Sequence, residues 1–262
     1  MLAISLSFNS FLLILLLQTA VIPAAWGQLP QLNRQQVDWL GDRIFANECN
    51  RNFSCLTSWN EGEDFPSLGI GHFIWYSSQQ NERFEETFPN LLAFYKKHSY
   101  ELPNWLENLE SLDSPWQNRE QFLADLDSQR MRQLRNFLGS TTELQVLFIV
   151  ERLHDAKADL FRGLEPSQQS SVESSFYQIA NSQTPYGIYA LIDYVHFKGT
   201  GIAPSERYQG EGWGLLQVLL ELQGSAANLD DFVTAATRVL ERRVSNAPTQ
   251  RAEQRWIAGW TN

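Results

Sequence analysis

The chain has 262 residues, a formal net charge of −10 and two cysteines. This charge excludes a phosphate-tracking nucleic-acid binder, because there is no basic patch to release counterions. It also works against long-range steering toward an anionic polymer. Two cysteines at this spacing and four scattered histidines match no zinc template, and no motif calls for a cofactor.

Residues 1–27 read as a secretory leader. Phe11 to Leu17 is Leu, Ile and Phe throughout, and Ala25-Trp26-Gly27 puts small residues at the two positions a signal peptidase reads. No Lys or Arg precedes the apolar run, so an uncleaved anchor stands as the alternative. Its short length and Asn9, Ser10 and Gln18 argue against a spanning helix. The expected mature chain, residues 28–262, is long enough for one well-buried core, and no Pro/Gly/Ser-rich linker or repeat divides it. The expectation is therefore one domain, periplasmic or secreted, with no membrane contact once the leader is removed.

Along the mature chain, Gln35 to Ala46 carries Val37, Leu40, Ile44 and Phe45 at helical spacing, which predicts an amphipathic helix with Glu48 at or just past its end. From Leu56 to Tyr76, Gly62, Pro66, Gly69 and Gly71 punctuate the pattern, and Gly71 to Tyr76 is strand-like. Helical periodicity then returns over 82–98, 119–138, 143–161, 168–181, 186–197, 214–222, 229–244 and 250–260. Glu120, Glu143 and Asp230 fall in first turns, where acids favour the helix dipole. Tyr189 to Val195 is apolar nearly all round, which predicts a central buried helix. A small sheet followed by a run of helices is an α+β chain, predominantly α.

In an exported chain Cys49 and Cys55 are expected to form a disulfide, worth about 2 kcal/mol through restriction of the unfolded state. Two free buried thiols are the alternative. Glu48 has two readings as well. It is either an exposed acid at a helix terminus or a partly desolvated carboxyl. Desolvation and the negative helix end would both raise its pKa, so that it could donate a proton. Asp193 and His196 could pair on the central helix, with core polar pairing the expected role. Residues 207–214 form a Gly-rich segment with Tyr208 and Trp213, either a sugar-binding cleft wall or an ordinary loop leading into a helix. No Gly-x-Ser-x-Gly occurs.

The order Glu48, then the acids Glu61, Glu63 and Asp64, then Ser67-Leu68-Gly69-Ile70-Gly71-His72 resembles the catalytic region of the phage-type lysozymes, the endolysin muramidases. Residues 190–195 followed by Gly199-Thr200-Gly201 are similar to a buried helix and Gly-x-Gly turn of the same superfamily. The resemblance implies a lysozyme-like fold, with a small N-terminal β-hairpin element and a helical lobe, acting on peptidoglycan or a related aminosugar glycan. It casts Glu48 as general acid, and one of Glu61, Glu63 or Asp64 as the second acid. Ser67 becomes the hydroxyl that positions water, and His72 a structural and cleft-lining residue. The sequence departs from the pattern in a longer Glu48-to-Gly69 spacing, the Cys49/Cys55 loop, Ser in place of Thr, and Phe197 where Asn is expected. A hydrolase, a lytic transglycosylase, a non-catalytic glycan-binding or inhibitory module and a secreted scaffold all remain open at this stage.

Overall fold

A computed structural model describes residues 27–78, 80, 84–222 and 227–260. The expected leader lies almost wholly outside them. The architecture is α+β and predominantly α, with two small antiparallel sheets.

Helix α1 (Arg34–Cys49) opens on a capping box. Asn33 accepts from the Gln36 amide, and the Gln36 side chain accepts from the Asn33 amide. It buries Val37, Leu40 and Ile44, as the spacing predicts, and ends where Asn50 turns left-handed. The helix runs past Ala46, so Glu48 sits inside its last turn. Strands β1 (Thr57–Ser58), β2 (Ser67–Leu68) and β3 (Phe73–Ile74) follow as a three-stranded antiparallel sheet. Helix α2 (Phe88–Lys97) is tied to that sheet at its start: Thr87 and Ile74 exchange hydrogen bonds of 3.0 and 3.1 Å.

A short helix α3 (Asn104–Glu107) went unread in the sequence. The segment 119–138, expected as one helix, is two: α4 (Arg119–Asp125) and α5 (Gln129–Ser140). The break has a local cause, because the Ser128 side chain accepts from the Met131 amide and caps a new start. Helix α6 (Thr142–Leu160) packs on α1. Helices α7 (Pro166–Asn181) and α8 (Tyr186–Lys198) form the next antiparallel pair.

The Gly-rich segment is a two-stranded hairpin, β4 (Arg207–Tyr208) and β5 (Glu211–Gly212), turned by Gln209 and Gly210, both at positive φ. Helices α9 (Leu215–Glu221) and α10 (Leu229–Asn246) cover α8. Residues 250–260, expected as one helix, are two 3-10 turns and a short helix α11 (Ile257–Trp260), because Ala252 sits at φ +47°. Glu120, Glu143 and Asp230 do lie in first turns. One apolar cluster runs from Val37 on α1 to Leu240 on α10. Among the described residues no helix is long and apolar enough to cross a membrane.

Candidate functional site

Cys49 and Cys55 are disulfide-bonded, with Cα atoms 5.5 Å apart. The bridge ties the last turn of α1 to the 3-10 turn at Phe53–Leu56 and so fixes the residue before it, Glu48. Opposite stands the turn Gly69-Ile70-Gly71-His72 between β2 and β3. Its anchor is the fully buried Gln145 on α6. The Gln145 side chain accepts from the Ile70 amide at 2.9 Å and donates to the Leu138 carbonyl at 2.7 Å. This pin swings His72, at φ +47°, back over α1.

Two imidazoles meet on one oxygen. His72 Nδ1 is 3.3 Å and His196 Nε2 is 3.2 Å from Glu48 Oε2. His196 comes from the last turn of α8, where the helix dipole favours a cation. Burial pushes the Glu48 carboxyl up, but the His196 hydrogen bond and the two ring charges together hold it below its ordinary range. The expectation of a raised Glu48 is thereby corrected. Desolvation acts as expected and is outweighed by two partners that sequence reading did not bring to it. The hydrogen bond to Glu48 raises His196 above its ordinary value. His72 is lowered, chiefly by burial. The shifts favour the ionised form of Glu48 and the protonated form of His196, and disfavour a charge on His72.

Glu48 and His196 line a cleft of about 220 Å³ between α1, α6 and α8. Asp193 lines it too, but its carboxylate accepts from Asn47 at 3.0 Å and from the Tyr189 hydroxyl at 3.3 Å. Asp193 thus hydrogen-bonds to Asn47 and Tyr189 and acts on His196 through its charge, which helps raise that ring. Glu85 and Arg152 close another side with an ion pair of 2.7 Å. A second groove of about 380 Å³ shares Tyr189 and Asp193 with the cleft and presents exposed Tyr186 and Phe197.

The other candidates are scattered. Glu61 and Asp64 are exposed on the β1–β2 loop. Glu63 is half-buried, with one carboxylate oxygen buried and lacking a hydrogen-bond partner, and its charge reaches His72. Ser67 is buried in β2, paired with Ser58 and Ile74, and is not part of the cleft lining. Tyr208 and Trp213 lie outside the cleft. Their ring centroids lie 4.5 Å apart with the planes tilted by 48°, and the Tyr208 hydroxyl donates to the fully buried Glu253 at 2.8 Å. Arg243 and Arg251 reach the same carboxylate, so this cluster fastens the C-terminal segment to the hairpin.

Sequence reading passed over Asn47, Glu85, Arg152 and Tyr189, and left His196 out of the site. The one available signal was His196 beside Asp193 on a helix otherwise apolar all round. The three atoms Cys49 Sγ, Cys55 Sγ and a His72 ring nitrogen lie within 4.8 Å of one another, but both sulfurs are committed to the bridge. Comparison of the chain with protein-family models, curated proteins and solved structures returns no match.

Proposed function

We propose that this chain is an exported lysozyme-like glycosidase that cuts β-1,4 bonds of peptidoglycan or a related aminosugar polymer, with Glu48 moving the proton. One observation carries the reading: a carboxyl group in a cleft with the His196 imidazole 3.2 Å from its Oε2. The pairing favours an ionised Glu48, which cannot donate, and a protonated His196, whose Nε2 then holds the proton one hydrogen bond away. A sugar that seals the cleft excludes water and makes the separated charges costlier. The proton then passes from His196 to Glu48, and Glu48 passes it on to the scissile oxygen.

The positive charge that develops on the sugar needs a second carboxylate. Glu63 is the member of the acidic loop whose charge reaches His72, and Asp193 already lines the cleft. The groove beside Tyr189 and Asp193, with exposed Tyr186 and Phe197, suits a polymer continuing past the reacting bond. Attack by water gives a hydrolase, and attack by the sugar's own hydroxyl gives a lytic transglycosylase.

The second reading is a glycan-binding module without turnover. Two observations favour it: a resting Glu48 that is ionised, and a Ser67 buried away from the cleft. Digestion of purified peptidoglycan by residues 28–262, beside Glu48→Gln, separates the readings through the mass of the products. New reducing ends mean hydrolysis, and anhydro-sugar ends mean transglycosylation. Either product, lost in Glu48→Gln, upholds the glycosidase. Saturable binding with no product from the folded wild type moves the assignment to the binding module.

A further inference from the structure

His72 is held between two chemistries. Its Nδ1 faces Glu48 Oε2 at 3.3 Å. Its Nε2 lies 3.4 Å from Cys55 Sγ and 3.7 Å from Cys49 Sγ. Bridged sulfurs carry no hydrogen and so donate nothing to Nε2. The carboxylate is a far better acceptor than sulfur, and a charge-assisted N–H···O bond outweighs N–H···S. The neutral ring therefore carries its proton on Nδ1 and turns the Nε2 lone pair toward the sulfurs. Thiol sulfur, imidazole and carboxylate stand in the order of a nucleophile, its base and an orienting group. While the disulfide is closed, the first member is out of use.

We propose that Cys49–Cys55 is a reducible bridge whose opening creates a Cys55 thiolate–His72 imidazolium pair beside Glu48. The reductant is a low-molecular-weight dithiol. The S–S bond breaks, and the dithiol gives up two electrons and two protons as it closes to its own cyclic disulfide. One proton stays on Cys49 Sγ, and the other passes from Cys55 to His72 Nε2. The ring then donates on both sides, to the Glu48 carboxylate and to the Cys55 thiolate.

Cys55 is the thiolate because its sulfur is the nearer one. It is also half-buried, whereas Cys49 is buried. Burial is the largest influence on His72 and opposes the cation; of the charged groups facing it, His196 on α8 also opposes it, while Glu48 on α1 and Glu63 on the β1–β2 loop favour it. A thiolate stabilised in this way favours the dithiol form and eases reduction. Opening the bridge also changes the charge beside Glu48. The inference concerns thiol chemistry and stands whether or not the chain cuts glycans.

The test uses the chain from residue 28 onward, reduced with dithiothreitol in chelator-treated buffer. Thiolate ultraviolet absorbance is followed against pH, and alkylated peptides are assigned by mass spectrometry. One thiol, Cys55, is expected to ionise at least about one pH unit below the free-cysteine value of about 8.5, which is about tenfold more thiolate at a given acidic pH. His72→Asn, a side chain that accepts the left-handed φ of +47°, should return Cys55 to ordinary behaviour. Cys49→Ala should show the lowered Cys55 with no reductant at all. Three results overturn the proposal: two ordinary thiols in the folded reduced chain, a lowered Cys55 that survives His72→Asn, or loss of the near-ultraviolet aromatic signal when the bridge is opened.

Discussion

The turn that carries His72 depends on an amide in the core, and that dependence can be measured. Gly69 sits at φ +69°, and a Cβ there would lie 2.3 Å from Gln145 Oε1 and 3.1 Å from Phe73 Cδ2. Gly69→Ala therefore carries two costs. Alanine in the left-handed region costs about 1–2 kcal/mol. The methyl group also expels the Gln145 amide, leaving the Ile70 N–H unpaired in the interior, while the Leu138 carbonyl keeps the Thr141 N–H. A buried orphan costs about 1–3 kcal/mol, so with the backbone cost the single variant should lose about 3 kcal/mol.

Gln145→Ala alone orphans the same Ile70 N–H and should lose about 1–3 kcal/mol from it. Once the amide is gone, Gly69→Ala no longer adds an orphan, and the double variant should fall short of the sum by about 1–3 kcal/mol. Gly62→Ala is the control, since Gly62 has φ +83° and nothing within 4 Å. It should lose the backbone cost of about 1–2 kcal/mol alone. Urea unfolding followed by tryptophan fluorescence, with nine tryptophans as reporters, measures all four. Additivity of the two core changes within about 0.5 kcal/mol would refute the argument that Gln145 and Gly69 share one lock.

The Glu48–His196 pair should leave a pH signature in stability. Glu48 is lowered, so its contribution is present above the ordinary 4.5 and is lost as pH falls through its folded value; His196 is raised, so its contribution is full below 6.5 and is lost as pH rises through its folded value. The melting-temperature difference between wild type and His196→Gln should therefore peak between those two values and close on both sides. With the His196 side chain 43% exposed, solvent screening keeps the gap below about 1 kcal/mol; a gap that widens steadily toward alkaline pH contradicts the assignment. Glu253→Gln should cost about 3 kcal/mol in urea, because it discharges a buried carboxylate while leaving its arginines in place. Burial raises Glu253, yet Arg243, Tyr208 and Arg251 hold it low, so the wild-type advantage should persist at neutral pH and fade only in acid. Asp193→Asn keeps the hydrogen-bonding shape while removing the charge; a loss of glycan turnover with unchanged glycan binding supports the second-carboxylate role, and unchanged turnover returns that role to Glu63.

The amphipathic helices were legible because their signal is local. Val37, Leu40 and Ile44 recur at helical spacing, and α1 buries those very residues. The failures share one cause, which is that a distant partner or a single cap overrides the period. Ser128 splits a continuous periodicity by capping from its side chain. The last segment, 250–260, gives up regular helix where Ala252 turns left-handed and Glu253 is drawn into the interior by Arg243.

The site followed the same rule. Glu48, Cys49, Cys55 and His72 are close in sequence, and they stand together in the fold. The proton logic of Glu48 was misread because it belongs to His196, which arrives on α8 from the other half of the chain. A helix end and a desolvated environment are properties of one segment, and both argue for a protonated acid. Two imidazoles on the same oxygen are a property of the assembled fold, and they reverse the sign. Tyr208 and Trp213 are a different case, because the sequence left the Gly-rich segment open between a cleft wall and an ordinary loop. Aromatics in a Gly-rich loop resemble a binding surface, but the buried Glu253 with Arg243 and Arg251 turns that hairpin into a fastening for the C-terminal segment. In this chain the local sequence locates the Glu48 carboxyl, and long-range packing sets how readily that carboxyl holds a proton.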